Sequence, residues 1–453
     1  YKNFFAQYLC FVIPACISLF FIIRDKKYKT IVFLCTLINC GALVLTRCRA
    51  AWVGLFIAVL IFILFNRQLI TNRLLSIIKN KFSLSFIVAS LSLFLYFISI
   101  PVSIKSGIWI GNKSSFKDTI LSIKNINSYS FWGDRIDMFE TSFSIFKTSP
   151  LIGIGISNWK VLYPGFSSNK SVTDYSRNKK ILRPHNYLLK LLTEVGIVGF
   201  LFLLLLYWQH IKVLISDIKK NKYSDKYFIL MFSMTSLISI SIESFFDFPF
   251  ERIMPNLYLC LILGYISNSK LNNSKITKKS TANFVYIPIF LSVLCFIFID
   301  NKSQLYIQKN FNSKNYFNYN QLNDFVNSYY IRFRNIDYLA NPVSYHIGLR
   351  YHNLGYDNIA LEYFEKSLMV SPYHFETLKY KMLILIKQRK IESAYKTLLN
   401  IDRYYPRVKS LKIKMAKYCI RYKELEYVYK IISLFDKNQK NNINIINDLK
   451  KLM

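Results

Sequence analysis

The sequence predicts an all-α fold in which a polytopic helical membrane domain with an external helical cap precedes a C-terminal α-solenoid. Three observations predict it: apolar blocks of membrane-spanning length, a long segment with its own helical periodicity between two of these blocks, and a 34-residue repeat after residue 300. Of the 453 residues, 53% are hydrophobic and 17% aromatic, and the mean hydropathy is +0.23. This composition excludes a chain built only of ordinary soluble domains.

The membrane domain is assigned to residues 1–299. It contains eight apolar blocks long enough to cross a hydrocarbon core of about 30 Å. They run over residues 4–23, 30–47, 50–65, 83–101, 186–211, 227–243, 254–267 and 284–299. Because an apolar block follows Tyr1 almost at once, without the charged start of a signal peptide, we expect the natural N-terminus and further spans to be missing.

The charge balance is strongly basic, with 60 Lys and Arg against 25 Asp and Glu and a formal net charge of +35. In a soluble protein this excess would indicate nucleic-acid binding. Here much of it lies in alternate connections between spans, at residues 24–29, 67–81, 212–226 and 270–279. The positive-inside rule places these four in the cytoplasm. We therefore predict no nucleic-acid partner, and we expect the intervening connections and the whole region after residue 300 on the outer face.

The connection at 102–185 is too long for a simple loop and is predicted to be a folded external cap. Ile136, Phe139, Phe143 and Phe146 follow helical spacing and precede Pro150. The sequence PLIGIG at 150–155 resembles part of a phosphate loop, but no Lys-Ser/Thr pair follows it. A tight turn at the two glycines is the interpretation that the sequence favours.

The C-terminal domain, residues 300–453, is predicted to hold tetratricopeptide-like repeats at 341–374 and 375–408. The small, aromatic and proline positions of the first repeat recur one period later, as Ala360, Phe364, Ser367 and Pro372 and then Ala394, Leu398, Ile401 and Pro406. Helices near 320–340 and 410–450 are interpreted as degenerate capping units. An ordinary helical domain is the alternative. Tetratricopeptide grooves bind peptides or proteins, so we expect a protein partner here.

Charged and titratable side chains beside predicted spans are the candidates for chemistry. Arg47 and Arg49 lie at an outer junction, although anchoring at the interface would also explain them. His185 lies between Pro184 and a span, where its imidazole could accept a proton near neutral pH. An inert surface or core histidine is the alternative. The cysteines show no disulfide or zinc-site spacing, and no metal or cofactor is predicted.

Four motifs together resemble the O-antigen ligase/polymerase superfamily of bacterial lipid-linked glycan transferases. They are CRAAW at 48–52, the helix from Arg135 to PLIGIG at 150–155, HN followed by EVG at 185–196, and FDFPFER at 246–252, with YKNFFA at 1–6 similar to an earlier loop. The resemblance covers about residues 1–267. Cys48 departs from it, because a serine is usual there.

The resemblance implies a membrane glycosyltransferase that works without metal or nucleotide at the periplasmic face of the bacterial inner membrane. It would move a glycan from undecaprenyl pyrophosphate to an acceptor hydroxyl. The family's two arginines correspond to Arg49 and Arg135, and its histidine corresponds to His185. Guanidinium groups can bind the departing pyrophosphate, and a base must take the acceptor's proton. One displacement inverts the anomeric configuration. Arg47, Arg183 and Asn186 are the candidate substrate-binding residues.

The acceptor defines the subtype, and lipid A core, which makes the enzyme an O-antigen ligase, is the prediction. A second glycan would make it a polymerase, and a protein hydroxyl a protein O-oligosaccharyltransferase. A different class is a transporter of lipid-linked glycan. We see neither internal repeats nor broken and charged spans in the sequence, which disfavours it. A non-catalytic membrane anchor for the repeat domain would leave the outer arginines and the cap unexplained.

Overall fold

The computed structural model describes most of the chain. The described residues are 2–71, 88, 91–92, 95–96, 105–106, 109–110, 132–167, 181–271, 295, 298–310, 318–328, 335–337, 339–406, 408–435 and 440–453. They form two compact units, one of residues 1–135 with 184–277 and one of residues 136–183 with 278–453. The second half of the cap thus belongs to the same unit as the C-terminal domain.

The first unit is built from apolar helices. They are α1 (Lys2–Ile22), α2 (Lys26–Leu45), α3 (Arg49–Phe65), α6 (Tyr187–Lys220), α7 (Asp225–Glu243) and α8 (Ile253–Leu271). Four of them, α1, α2, α6 and α7, are long and apolar enough to cross a membrane, and α3 and residues 253–267 of α8 form shorter apolar helices. Six predicted blocks therefore coincide with apolar helices in a multi-pass arrangement. The predicted spans at 83–101 and 284–299 lie mostly outside the described residues.

The all-α prediction misses one small element of the first unit. Residues Lys105–Ser106 (β1) and Trp109–Ile110 (β2) form an antiparallel pair within the region predicted as a helical cap. Each strand is only two residues long, so no helical or strand periodicity could reveal it from the sequence. The rest of the described chain is helical or irregular.

Helix α7 is the centre of the first unit and packs against α1 and α3. Gly54 of α3 makes the closest approach, because a Cβ added there would lie 2.5 Å from the carbonyl oxygen of Ser239. Inside a membrane, where the hydrophobic effect does not drive helices together, small residues allow this close packing of helix backbones. At one end of the unit, Phe21 stacks on Phe228 with ring centres 5.0 Å apart, and the Tyr227 hydroxyl donates to Asn66 Oδ1 at 2.9 Å.

These contacts show that the end of α1, the end of α3 and the start of α7 meet at one end of the unit. At the opposite end, the backbone N–H of Tyr187 at the start of α6 donates to the Ser244 carbonyl oxygen just after α7, at 2.9 Å. The first end carries the basic connections that the sequence assigned to the cytoplasm. Their described members are Arg24, Lys26, Lys27, Lys29, Arg67, Lys212, Lys219, Lys220, Lys222, Lys226 and Lys270.

The described part of the cap contains helices α4 (Trp132–Phe146) and α5 (Trp159–Phe166). Trp159 is fully buried, and its indole N–H donates to the Ser142 hydroxyl at 2.9 Å, which joins the two helices. The chain turns between them at Gly153 (φ 74°) and Gly155 (φ 90°). Both glycines adopt left-handed backbone, so the tight turn expected from PLIGIG is confirmed.

The C-terminal domain consists of consecutive helices. After a helical stretch over residues 298–310, they are α9 (Tyr319–Asn327), α10 (Val343–Asn353), α11 (Asp357–Val370), α12 (Phe375–Lys387), α13 (Ile391–Tyr404), α14 (Lys409–Arg421), α15 (Leu425–Ser433) and α16 (Lys440–Lys451). Helices α10 and α11, α12 and α13, and α14 and α15 pack as pairs.

A 34-residue period runs through three of these helix pairs. The second helix of each pair begins at Asp357, Ile391 or Leu425, each start 34 residues after the one before. The turns inside the pairs follow the same spacing, with left-handed backbone at Gly355, Arg389 and Lys423. The period thus extends one pair beyond the two repeats expected from the sequence. The specific tetratricopeptide assignment stays a prediction.

Candidate active site

Asp247, in the loop after α7, is the buried centre of the polar end of the first unit. Its side chain is 4% exposed. Its Oδ2 accepts hydrogen bonds from Asn3 Nδ2 (3.2 Å), Gln7 Nε2 (3.4 Å) and Arg252 Nη2 (3.3 Å). A buried carboxylate costs free energy unless it is paired and hydrogen-bonded, and these donors supply that compensation. The start of α1 and the residue before α8 therefore hold one carboxylate at a fixed place.

Arg252, which pairs with Asp247, is itself fixed by several contacts. Its guanidinium also donates to Gln7 Oε1 and lies over two aromatic rings, with Cζ 3.8 Å from the ring centre of Phe4 and 4.8 Å from that of Phe248. Cation–π contacts of this kind are strengthened where water is excluded. Arg252 thus secures Asp247 from the side of α8.

His185 faces the second oxygen of this carboxylate. Its Nδ1 lies 4.0 Å from Asp247 Oδ1, and its ring packs on Phe248 with the ring centres 5.6 Å apart. The backbone of His185 is left-handed (φ 53°), a conformation that few non-glycine residues adopt. Its side chain is 40% exposed, whereas Asp247 is buried behind it. The imidazole is therefore accessible to an incoming group and lies within electrostatic reach of the buried carboxylate.

Arg135 lies within electrostatic reach of the same carboxylate and of Arg49. Arg135 is in the first turn of α4, and Arg49 is the first residue of α3. Burial lowers the pKa of Arg135, the negative charge of Asp247 opposes that change, and the positive charge of Arg49 adds to it. Arginine still remains protonated at neutral pH. Two half-buried guanidinium groups that repel each other make a favourable place for an anion between them.

Arg47 and Cys48 form the turn between α2 and α3. Arg47 is buried and has left-handed backbone (φ 56°), so it packs within the protein. Cys48 precedes α3, and its backbone N–H donates to the Thr46 hydroxyl at 3.2 Å. Burial raises the pKa of Cys48 to about 12, with a smaller contribution from the charge of Glu243. The thiol is therefore protonated and is not a nucleophile.

The other two predicted binding residues have different surroundings. Asn186 is the N-cap of α6, where its Oδ1 accepts from the Leu189 backbone N–H at 2.9 Å. This bond satisfies one of the unpaired donors of the helix terminus. Arg183 is half-buried and belongs to the second compact unit, while His185 belongs to the first. The structure thus brings His185 and Arg135 to Asp247 and Arg49 to Arg135, and gives Asn186 a structural contact.

A second charged cluster lies along the first turns of α6. Lys190 Nζ is 2.5 Å from Glu251 Oε1 and 3.8 Å from Glu194 Oε2, and all three side chains are largely buried. Gly196, two residues after Glu194, interrupts α6 with φ 69° and ψ −178°, a conformation open almost only to glycine. The expectation that the sequence contains no broken or charged span was therefore wrong for α6. Hydropathy hides this break, because glycine is common in membrane helices.

Comparison with known proteins adds one finding. The family model described as O-Antigen ligase matches residues 31–204. The chain is similar to the O-antigen ligases over these residues. No curated protein and no solved structure matches the chain.

The O-antigen ligase match includes Arg49, Arg135 and His185 and ends before Asp247 and Arg252. It supports a place in the ligase/polymerase superfamily and a membrane enzyme of the glycosyltransferase type. The C-terminal helices lie outside it. Lipid-linked glycans and membrane lipids are the partners that this similarity supports.

Asp247, which lies beyond the matched residues, was not predicted from the sequence to be the buried centre of this cluster. The motif FDFPFER was recognised, but no residue within it was assigned to the site. The available signal was a carboxylate beside the predicted outer end of a span, where a charge is expensive. Within the described residues, no three His, Cys, Asp or Glu side chains are grouped as metal ligands.

Proposed function

We propose that the protein is a glycosyltransferase of the O-antigen ligase type, which moves a glycan from undecaprenyl pyrophosphate to an acceptor hydroxyl. The observation that carries the proposal is the convergence of His185 and Arg135 on the buried carboxylate of Asp247, with Arg49 within electrostatic reach of Arg135. The family match over residues 31–204 supports the same chemistry. No other described cluster in the first unit joins a half-exposed imidazole to two arginines.

The arginines act on the donor. When the bond between the anomeric carbon and the pyrophosphate oxygen breaks, negative charge grows on the departing lipid pyrophosphate. Arg49 and Arg135 are fixed by the starts of two helices, so they can stabilise this charge without rearranging. Guanidinium groups suit this task because they can hold phosphate oxygens in bidentate fashion.

His185 acts on the acceptor. As the acceptor oxygen forms its bond to the anomeric carbon, its proton passes to a nitrogen of His185, and Asp247 stabilises the imidazolium that results. The partial exposure of His185 lets an acceptor approach it from outside the protein. Attack opposite the departing pyrophosphate inverts the anomeric configuration. This chemistry uses only side chains of the chain itself, so we propose that transfer is independent of metal.

The sidedness of the reaction follows from the position of the basic connections. Arg24, Lys27, Arg67 and Lys222 lie at the end of the helices opposite Asp247. By the positive-inside rule, the cluster then faces the periplasm of a bacterial inner membrane. A lipid-linked glycan presented at that surface would place its pyrophosphate at headgroup level, beside Arg49 and Arg135.

Lipid A core is the acceptor we propose, and it would make the enzyme an O-antigen ligase. A growing glycan or a protein hydroxyl are the alternatives within the same superfamily. The periplasmic repeat domain at 300–453, if it binds peptides as tetratricopeptide grooves do, would recruit a protein acceptor or an assembly partner.

Transport of a lipid-linked glycan is the second candidate. The break of α6 at Gly196 and the buried Lys190 with Glu194 and Glu251 favour it, because transporters use discontinuous, charged helices near their substrates. Transport does not require a base, so it should survive loss of the His185 imidazole.

The decisive experiment measures transfer of labelled glycan from undecaprenyl pyrophosphate by purified full-length protein in detergent with EDTA. Acceptors are lipid A core, a second carrier-linked glycan and a periplasmic protein extract. We expect product from the wild type and none above background from His185→Ala or Arg135→Ala. His210→Ala, in the distal half of α6, and Arg67→Ala, at the basic end, are matched controls that should retain activity.

Each outcome decides between the candidates. The labelled acceptor names the subtype. Metal-dependent product would contradict the proposed mechanism, and equal product from His185→Ala would place the base elsewhere. If no acceptor is labelled but vesicles containing the protein move the lipid-linked glycan, with or without His185, transport is the function.

A further inference from the structure

The cap helix α5 docks on the C-terminal domain within the second compact unit. Its residue Gly165 lies against the ring of Tyr373, since a Cβ added to Gly165 would be 2.4 Å from two of the ring carbons. The neighbouring Phe166 meets the same ring edge-on, with centres 6.5 Å apart. The absence of a side chain at 165 is therefore what allows the ring to approach the helix.

Tyr373 is itself held in place by the next repeat. It lies in the turn between α11 and α12. The ring of Tyr404 meets it edge-on with centres 4.7 Å apart, and the Tyr405 hydroxyl donates to the carbonyl oxygen of Tyr373. The following residue, His374, caps α12 by accepting from the Thr377 backbone N–H. Because the Tyr373 ring contacts α5 on one side and Tyr404 on the other, the position of the repeats can determine where α5 packs.

Helix α5 is tied in turn to α4. Trp159, at the start of α5, is fully buried and donates to the Ser142 hydroxyl of α4. Met138 and Ile145 of α4 complete the same hydrophobic cluster with Tyr163 of α5. Helix α4 is the element whose first turn carries Arg135.

We propose that the C-terminal repeat domain binds the chain's own cap, and that Tyr373 is a positioning residue which fixes α4 and thereby Arg135. The contact runs from Tyr373 to Gly165 on α5, and from Trp159 on α5 to Ser142 on α4. This gives the repeat domain an intramolecular partner in addition to any protein it recruits. The consequence for catalysis rests on the proposed function, whereas the docking does not.

The test combines hydrogen exchange with transfer, on full-length protein in detergent. Gly165→Leu and Tyr373→Ala should each raise amide exchange in α4 and α5 about tenfold. Transfer should fall about tenfold, since a small misplacement of a substrate-orienting group has effects of this size or larger. Tyr373→Phe keeps the ring and should behave as wild type. Gly264→Leu is the matched control, because no atom lies within 4 Å of a Cβ added there.

The outcomes are distinct. Unchanged exchange in α4 for both Gly165→Leu and Tyr373→Ala overturns the docking. Raised exchange with undiminished kcat overturns the positioning of Arg135. If Tyr373→Ala raises amide exchange across all C-terminal helices, the domain has unfolded in that variant. The exchange of α4 in Gly165→Leu, whose substitution lies in the cap, then tests the docking. If the wild type transfers no glycan, the proposed function fails, and exchange in α4 alone confirms or overturns the inference.

Discussion

The two compact units bury polar side chains in different ways. In the first unit, one buried cluster at one end of the apolar helices pairs the charges of Asp247 and Arg252, and a half-exposed histidine faces it. In the second unit the buried network joins the carboxylate of Asp337 to neutral groups. Asn341 donates to Asp337 from its backbone (2.7 Å) and its side chain (2.8 Å), and His374 contacts Asn341 at 3.1 Å.

The difference teaches which buried polar groups indicate function. The network in the second unit joins neighbouring helices, because Thr377 of α12 links His374 to Ser367 of α11. Such a network specifies structure. The cluster around Asp247 instead leads outward to an imidazole and two arginines, and charges at the edge of a membrane persist mainly where they are used.

The largest expected effect sharpens this contrast at Asp247. Asp247→Asn keeps the size of the side chain and removes the charge that would stabilise protonated His185. Transfer should fall about a thousandfold, since loss of the carboxylate behind a catalytic histidine has effects of that order. The measurement is kcat for glycan transfer at equal amounts of folded protein.

Asp225→Asn is the matched control for Asp247→Asn. Asp225 is exposed in the first turn of α7, at the basic end of the same helix. It should leave kcat unchanged. Activity of Asp247→Asn within a few fold of wild type would contradict the functional role of this carboxylate, which would then be structural like Asp337.

The next effect concerns the break in α6. Gly196→Ala introduces a Cβ at φ 69° and ψ −178°, and the strain should cost about 1–3 kcal/mol of stability. Thermal unfolding in detergent measures it. Gly264→Ala, in the open space beside α8, is the control and should change little. An unchanged melting temperature for Gly196→Ala would mean that α6 can continue as a regular helix.

In the second unit, Asp337→Asn should destabilise folding by about 1–3 kcal/mol. Burial alone would raise the pKa of Asp337, but hydrogen bonds from His346 and Asn341 outweigh it and lower that pKa. The carboxylate therefore stabilises the fold above its unfolded pKa of about 4, and this contribution is lost as the pH falls further.

Denaturant unfolding followed between pH 3 and pH 7, a range of about four units around this transition, tests the prediction for Asp337. The wild type should lose stability below about pH 4, and Asp337→Asn should lose less of it there. Asp448→Asn, an exposed carboxylate of α16, serves as the control. Identical pH profiles for wild type and Asp337→Asn would remove Asp337 from the network that stabilises this unit.

Much of the fold could be predicted because it depends on local pattern. Apolar blocks gave the membrane helices, and small residues such as Ala360 and Ala394 gave the repeat period. The third helix pair was expected only as a degenerate capping unit, because at its turn Lys423 adopts the left-handed backbone for which Gly355 is the obvious signal. Residue type alone does not reveal that conformation in lysine.

The site could be predicted only in part because its contacts are distant in the chain. His185 was predicted from chemistry and position and Arg135 from the family resemblance, but the partners of Asp247 include Gln7, 240 residues away. Lys190 and Glu251 are 61 residues apart. No periodicity connects such pairs, and only the packing of α1, α6 and α7 brings them together.

The smallest effect separates two roles for Asn186, which was predicted to bind substrate and which caps α6. If capping is its role, Asn186→Ala should cost about 1 kcal/mol of stability, and Asn186→Ser should restore most of it, because serine is also a good N-cap. KM for donor and acceptor should then match the wild type in the serine variant. A raised KM in Asn186→Ser with normal thermal stability would instead assign the amide to substrate binding, and the functional cluster of the first unit would extend onto the first turn of α6.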